Sequence, residues 1–351
     1  MDRLTHRTRP ASTWAVPLGV ALGVVLTAGG AFLEAAFAGR RAVPFAQVAR
    51  VPVRGATQPS NLASVAAAIS EPTPTPSATA TTEPFDAKRA FAQLQKIVSF
   101  GPRQSGSAAE DKSAEYVRGQ FEALGYTTTV EEVPLPDGKT THNVVALKPG
   151  GGAGLIVVGG HVDSHLPSPG ANDDASGVGV ILELARVMRD RGTGPSIEFV
   201  AFGGEEMVDA DPDHHHYGSR AHALSLRTAR PDEKIAMIAV DMVGAGSFFA
   251  VRSMGKGPLR LAWALRTRAN ARKVTLRYLK DRARYGSADH EAFELAGVPA
   301  AWLSWRTDPT YHTKRDTVGH ISVPHLRTVG TLLLDFLTRV TSDDVAAWYA
   351  T

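Results

Sequence analysis

Short apolar runs with the character of buried strands alternate with helical segments from Phe85 onward, and this alternation restricts the possible folds most strongly. Buried strands that alternate with helices are typical of an α/β domain, in which helices cover both faces of a mixed, mostly parallel central sheet. No second linker or internal repeat interrupts the pattern, so we predict a single domain over residues 85–343, followed by a short tail at residues 344–351. The predicted strands are Asn143–Leu147, Leu155–Gly160, Ile197–Phe202, Ile235–Val240 and Val298–Trp302, and the predicted helices are Phe85–Phe100, Ala108–Leu124, Gly177–Arg189, Leu259–Arg272 and Pro324–Val340.

Two segments of different composition precede this domain. Residues 14–33 contain no charged side chain, a length that suffices to cross a bilayer as a helix, and basic residues precede them. A cleaved signal peptide is the alternative, because Ala36-Phe37-Ala38 resembles a cleavage site. Residues 39–84 are rich in Ala, Pro, Ser and Thr, which predicts a semi-rigid extended linker. We therefore expect residues 1–38 to be a membrane anchor or signal segment, and the domain to be extracytoplasmic, either anchored or secreted.

The chain contains no cysteine, which excludes disulfides and thiolate metal ligands. Any bound metal ion must therefore be held by His, Asp and Glu. The charges nearly balance, with 38 basic against 35 acidic residues, and no basic stripe stands out along the chain. The sequence therefore gives no indication of a nucleic-acid partner.

Polar clusters follow the predicted strands at their carboxyl ends, where ligands collect in open α/β sheets. Taken singly, each cluster has an ordinary structural explanation, such as a hydrogen-bonded loop histidine, a helix cap or a solvated turn. Asp241 is the exception, because it follows an apolar run in which an unpaired carboxylate is costly. Taken together, the clusters supply histidine and carboxylate groups that suit zinc. In chain order they contain His161, Asp163, Asp173, Asp174, Glu205, Glu206, Asp241 and His312.

Five motifs occur in the order HVDS, GANDDASG, AFGGEE, AVDMVG and TYHTKRD. In this order they resemble the motifs of the secreted bacterial dizinc leucine aminopeptidases, a family of zinc exopeptidases that also contains glutamate carboxypeptidases and zinc glutaminyl cyclases. The resemblance covers roughly Phe85 to Thr341. It implies the zinc-exopeptidase (phosphorylase/hydrolase-like) fold and a metallo-aminopeptidase that acts on peptides with a free N-terminus.

The resemblance also implies which residues hold the metal. Asp173 would bridge two zinc ions, with His161 and Asp241 completing the site of one, and Glu206 and His312 that of the other. Two zinc ions that share a carboxylate lower the pKa of a bridging water towards neutrality, which supplies hydroxide for hydrolysis.

Further roles follow from the same resemblance. Glu205 resembles the general base, which accepts a proton from the water and passes it to the leaving amine. Asp163 would hold the second ring nitrogen of one histidine ligand, and Asp316 that of the other. Tyr311 matches a tyrosine that donates a hydrogen bond to the developing oxyanion in some members. The peptide bond between Asp173 and Asp174 is expected to be cis.

The sequence departs from the family pattern between Glu206 and Gly218, where relatives usually have a shorter turn rich in Leu and Gly. Here the segment reads MVDADPDHHHY. It begins next to a predicted zinc ligand, so it either narrows the cleft, binds an additional cation, or is a solvated polar loop.

Two other functions remain open on the sequence alone. One is a glutaminyl cyclase-like acyltransferase, although those cyclases usually have Ser at the position of Asp174. The other is a non-catalytic surface domain of the same fold, although such domains typically lose metal ligands and none is missing here.

Overall fold

Eight strands form one mixed sheet in the computed structural model, which describes residues 84–350 except Pro212 and residues 282–286. The order across the sheet is β1-β2-β4-β3-β5-β8-β6-β7. Four neighbouring pairs are parallel, namely β3–β4, β3–β5, β5–β8 and β6–β7, and three are antiparallel. The strands are β1 (Thr127–Pro134), β2 (Thr140–Lys148), β3 (Leu155–His161), β4 (Ser196–Phe202), β5 (Ile235–Val240), β6 (Phe248–Ser253), β7 (Arg277–Lys280) and β8 (Ala300–Arg306).

Helices cover both faces of this sheet, and the alternation of side chains along β3 shows why. Ile156 and Val158 point into a cluster with α1, α2, α3, α5 and α7, whereas Leu155 and Val157 point into a second cluster with α4 and α6. The expected single α/β domain with a mixed, mostly parallel sheet is therefore confirmed. The helices are α1 (Ala87–Val98), α2 (Ala108–Ala123), α3 (Ala175–Met188), α4 (Tyr217–Ala229), α5 (Arg260–Ala271), α6 (His290–Leu295), α7 (Val323–Leu337) and α8 (Ser342–Ala347).

Helix α8 crosses the expected boundary between domain and tail at residue 343. Thr341 caps this helix by accepting a hydrogen bond from the backbone N–H of Asp344, whose carboxylate in turn accepts from the backbone N–H of Thr341. Val345 and Trp348 are buried, and Trp348 stacks on Phe336 of α7. These residues therefore belong to the folded domain, because their apolar side chains complete its core.

The first described residues pack against the rest of the domain. Phe85 is buried against Gly330 of α7, where an added Cβ would collide with the Phe85 ring. Asp86 donates its backbone N–H to Glu183 at 2.9 Å and caps α1. The expected anchor or signal segment (1–38) lies outside the described residues, as does nearly all of the linker (39–84). Within the described part, no helix has the length and apolar character needed to cross a membrane.

Limited proteolysis of the full chain is expected to cut between residues 39 and 84 and to leave a stable, active fragment that begins near Phe85. The composition of residues 39–84 predicts an extended linker that a protease can reach, whereas Phe85 and Ala87 are buried. Mass spectrometry of the fragment, together with its unfolding temperature and peptidase activity, checks this prediction. A fragment that unfolds or loses activity would place the domain boundary elsewhere.

Candidate metal centre and active site

Five side chains converge at one edge of the sheet, where parallel strands end. His161 is the last residue of β3, Asp241 directly follows β5, and Glu206 lies in the loop after β4. Asp173 lies in the loop that leads into α3, and His312 lies in the loop after β8. The structure therefore brings together all five of the ligands that the sequence predicts.

Asp173 lies between the two histidines. Its Oδ1 atom is 3.1 Å from His161 Nε2, and its Oδ2 atom is 3.2 Å from His312 Nε2. Glu206 Oε2 is also 3.2 Å from His312 Nε2, and Asp241 Oδ1 is 3.8 Å from His161 Nε2. The side chains thus form two donor sets that share the carboxylate of Asp173.

The chemistry of these donors fits zinc. Zinc binds imidazole nitrogen and carboxylate oxygen at ~2.0–2.2 Å with tetrahedral geometry, so two of its ligand atoms lie roughly 3.3–3.6 Å apart. The separations around Asp173 are close to that value. Asp241 Oδ1 is buried and has no hydrogen-bond partner among the described residues, as expected for an oxygen that binds an ion. His161, Asp173 and Glu206 also form a three-ligand group with atoms within 4.8 Å of one another.

Negative charge is concentrated at this edge. Burial and the nearby Asp173 raise the pKa of Glu206 to about 8. Burial, together with Asp173 and Glu205, raises the pKa of Asp241 to about 6 even though His161 lowers it. Burial alone lowers the pKa of His312, but Asp173 and Glu206 raise it to about 10. These shifts reflect the burial of several carboxylates close together, and a divalent cation would offset both their desolvation and their mutual repulsion.

Asp163 faces His161 Nδ1 at 3.4 Å, as the resemblance implies. The same carboxylate also accepts hydrogen bonds from the backbone N–H groups of Glu205 at 3.1 Å and Glu206 at 3.0 Å, and from the hydroxyl of Ser105 at 2.8 Å. Asp163 therefore orients both the histidine and the loop that carries the two glutamates.

Asp316 has a different role from the one expected. It accepts hydrogen bonds from the backbone N–H groups of Asn172 at 2.7 Å and Asp173 at 3.2 Å, and among the described residues it forms no hydrogen bond or ion pair with His312. The ring of His312 instead stacks on those of His165 and Tyr311, with centroids 4.1 and 3.7 Å away. Asp316 thus fixes the backbone of the Asp173 loop, because the chain folds back over that loop after β8.

Arg103 also holds the Asp173 loop, and no sequence pattern predicted this role. Its guanidinium is fully buried and donates to the carbonyl oxygens of Val162 at 2.7 Å, Pro169 at 2.6 Å and Gly170 at 2.9 Å. A single arginine in a loop has no periodic pattern that would identify it as buried. Its role depends entirely on carbonyl groups about sixty residues further along the chain.

The peptide bond between Asp173 and Asp174 is cis, as expected. Asp174 caps α3 by accepting a hydrogen bond from Gly177 N–H at 2.7 Å, and it also accepts from Met242 N–H at 3.2 Å. A side chain at position 177 would lie 1.7 Å from the carbonyl oxygen of Val240, so only glycine fits there. These contacts bring the start of α3 close to the end of β5 and place Asp173 beside Asp241.

A cavity of about 320 Å³ opens onto this cluster. Tyr311 lines the cavity and is half exposed, with its ring stacked on His312. Trp302 and Trp305 belong to the same wall, whereas Phe249 is buried in the core. Further lining residues are Asp173, Glu205, Glu206, Asp241, Met242, Arg252, Ser287, Arg306, Thr307, Asp308 and His312.

Glu205 turns its two carboxylate oxygens in different directions. Oε2 lies 3.9 Å from His161 Nε2 and faces the cluster, while Oε1 lies 2.9 Å from His216 Nε2. His216 comes from the inserted loop, in which Asp209, Asp211 and Asp213 are exposed but His215 and His216 are buried. The alternative of a solvated polar loop therefore holds only for the acidic part of the segment.

Comparisons with known proteins agree with this geometry. The family model described as peptidase family M28 matches residues 143–337, which is more than half of the chain. Aminopeptidase YwaD of Bacillus subtilis is 30% identical over 185 residues, which is 51% of this chain and 39% of that protein. In two further bacterial relatives, the region that matches this chain spans 49% and 41% of the relative's own length. The chain therefore matches less than half of each of these three proteins.

Solved structures share the fold. A zinc aminopeptidase from Bacillus subtilis superposes with a TM-score of 0.64 at 20% identity, covering 74% of this chain and 98% of that one. A glutaminyl cyclase from Bacteroides thetaiotaomicron superposes with a TM-score of 0.64 at 21% identity, covering 74% of this chain and 100% of that one. One fold therefore carries both activities among these neighbours, and the site residues have to discriminate between them.

Proposed function

The chain belongs to peptidase family M28, and on this basis we propose that it is a zinc-dependent aminopeptidase that removes the N-terminal residue of peptides. Two zinc ions are bound per chain, one by His161, Asp173 and Asp241 and the other by Asp173, Glu206 and His312. The domain acts outside the cytoplasm, and residues 1–38 anchor it to the membrane or direct its secretion.

The observation that carries this proposal is the position of Asp173. Its two oxygens each face one histidine, at 3.1 and 3.2 Å, and each of the resulting donor sets contains one further carboxylate. A single-metal site would need only one of these sets. The paired arrangement therefore supports two ions and hydrolysis.

The side chains around the cluster supply the rest of the chemistry. Zinc held by these ligands acts as a Lewis acid and lowers the pKa of a bound water. Glu205 Oε2 faces the cluster and the cavity, so it accepts the proton of the attacking water and delivers it to the leaving amine. Tyr311 lines the same cavity, so its hydroxyl is available to hydrogen-bond the oxyanion that develops on the scissile carbonyl.

Glutaminyl cyclase activity is the second candidate, and Trp305 favours it. Trp305 is partly exposed in the cavity and places apolar surface there against which an N-terminal glutaminyl residue can fold onto itself, whereas Trp302 is 1% exposed and lies beneath Arg252 and Arg306. Against it stand His161 and Asp241, which complete a second donor set that one-metal chemistry does not use. The same wall also suits an apolar side chain of an aminopeptidase substrate.

We expect the purified full chain to hydrolyse aminoacyl p-nitroanilides and to shorten free peptides from the N-terminus. The N-acetylated forms of the same peptides are the control and should remain intact, because a blocked amine cannot bind as a free N-terminus does. The products are identified by mass spectrometry, and the zinc content per chain is measured on the same preparation. Cyclisation of N-terminal glutamine without hydrolysis would assign the cyclase instead, and removal of C-terminal residues would assign a carboxypeptidase.

A further inference from the structure

The inserted loop returns to its starting point through three backbone hydrogen bonds. The N–H groups of residues 216, 217 and 218 donate to the carbonyl oxygens of residues 205, 204 and 203 at 2.9, 2.8 and 3.0 Å. These hydrogen bonds close the base of the inserted loop. They place His216 directly alongside Glu205.

The ring of His216 fills the space between two carboxylates. His216 Nε2 lies 2.9 Å from Glu205 Oε1, and His216 Nδ1 lies 3.8 Å from Glu291 Oε1. Glu291 belongs to α6 and also accepts a hydrogen bond from Arg220 of α4 at 3.0 Å. His216 and Glu291 are buried, with side chains 3% and 1% exposed, so water does not replace these contacts.

The backbone of His216 supports a specific role for its ring. Its φ angle is +54°, a left-handed conformation that is strained for a residue other than glycine. His216 occupies the N-cap position of α4, yet its side chain makes no capping hydrogen bond, because the ring points to Glu205 instead. A residue chosen only to begin a helix would be Ser, Thr, Asp or Asn.

The charges around His216 agree with a donor role. Burial alone lowers the pKa of this histidine, but Glu205 and Glu291 on its two sides raise that pKa to about 10. The ring is therefore positively charged at neutral pH, and Nε2 carries the proton that Glu205 Oε1 accepts. Such a charge-assisted hydrogen bond is stronger than a neutral one and fixes the direction of the carboxylate.

We propose that His216, held by Glu291, which Arg220 in turn holds, is a positioning residue that binds one oxygen of Glu205 and so aims the other at the reacting water. This inference rests on the proposed role of Glu205 as the base. It assigns a function to the segment in which the chain departs from its relatives. The base is oriented by a histidine that the inserted loop supplies.

A cation site in the loop is the competing explanation, and Arg220 argues against it. His215, His216 and Glu291 offer three ligand atoms within 4.8 Å of one another. Arg220 Nη2, however, lies 3.1 Å from His215 Nε2 and 3.0 Å from Glu291 Oε1. A guanidinium thus already provides the positive charge at that position, and a metal ion would be repelled by it.

Kinetics of single variants of the zinc-loaded full chain test the proposal. His216→Ala is expected to lower kcat by about 10- to 100-fold, the range typical of residues that orient active-site groups, with KM and zinc content near those of the wild type. His216→Gln offers an amide N–H in place of Nε2–H and should recover most of kcat. His214→Ala is the matched control, because His214 precedes the buried pair, is partly exposed and contacts Asp209. A wild-type kcat in His216→Ala, or an equal loss in His216→Gln, would overturn the proposal.

A double-mutant cycle separates positioning from a structural effect. If His216 acts through Glu205, adding His216→Ala to a Glu205→Gln chain should change kcat little, whereas independent effects would multiply. Full multiplication of the two effects would contradict the proposal.

A measurement that does not depend on turnover tests the His216–Glu205 pair separately from the proposed peptidase function. In NMR spectra of the chain labelled with ¹⁵N-histidine, the His216 Nε2 signal, assigned through its absence in His216→Gln, should move markedly in Glu205→Gln. An unchanged signal would show that the pair does not exist, whatever reaction the protein catalyses. A shifted signal without peptidase activity would leave the pair intact and refute only the proposed function.

Discussion

Glu205→Gln is expected to lower kcat by about 10²–10⁴-fold, the usual contribution of a general base. The amide keeps the shape of the side chain and accepts a weaker hydrogen bond from His216 in place of the charge-assisted one, but it cannot accept the proton of the attacking water. Zinc content should remain near two per chain, since Glu205 lies beside the donor sets and is not one of the five proposed ligands. KM should change little, because the lost interaction belongs to the transition state.

Two further variants make this result specific. Glu206→Gln is expected to lose or weaken one zinc ion, because Glu206 Oε2 lies 3.2 Å from His312 Nε2 within a donor set. Asp213→Asn is the control for the same acid-to-amide change on the exposed loop, and should be neutral. Zinc content and kcat are measured on all three. If Glu205→Gln loses zinc while Glu206→Gln keeps it, the two roles are reversed, and a fully active Glu205→Gln chain would refute the mechanism.

Asp173→Asn is expected to abolish activity and to reduce bound zinc at both positions. An asparagine has one oxygen and no charge, so it cannot serve both His161 and His312, and each donor set loses its shared member. Zinc content after dialysis and residual activity on an aminoacyl anilide measure the effect. Zinc also stabilises the folded state by mass action, by about 2.7 kcal/mol at a free concentration of 100 Kd, so added zinc should raise the unfolding temperature of the wild type but not of the variant.

Treatment with a chelator provides the control for Asp173→Asn. The wild-type chain should lose activity and regain it when zinc is added back, whereas the variant should not respond. This comparison separates loss of the ion from misfolding of the loop. A variant that retains two zinc ions per chain would show that Asp173 does not bridge them.

The central strands were predictable because both of their faces are buried. β3 and β5 read as continuous apolar runs, and the structure has them as Leu155–His161 and Ile235–Val240, within one residue of the expected bounds. The edge strands β1 and β7 were not predicted, and neither was the internal strand β6, although most of its side chains are buried. β1 is half exposed and reads TTTVEEVP, and β7 has four residues without a buried side chain. An edge strand lacks neighbours on one side and therefore needs no apolar pattern.

The candidate ligands were identifiable for a related reason. Each lies next to a buried strand or in a loop that follows one, and parallel strands end at the same edge of a sheet, so chain order alone suggested that these residues would meet. Glu205 and Glu206 are adjacent, yet their side chains diverge, one towards His216 and the other towards His312. The divergence itself was expected of neighbouring side chains at a strand end, but the motif did not indicate that His216 is the partner of Glu205.

The sequence by itself determined the α/β class, most of the central strands, and the histidines and carboxylates at their ends, because a strand buried on both faces reads as a continuous apolar run. Apart from Asp163, only the tertiary structure decided which groups orient them. Arg103, Asp316 and His216 act through hydrogen bonds to partners between eleven and 144 residues away along the chain. Such contacts depend on which loops the strand order of the sheet brings together, and a local sequence pattern does not predict them.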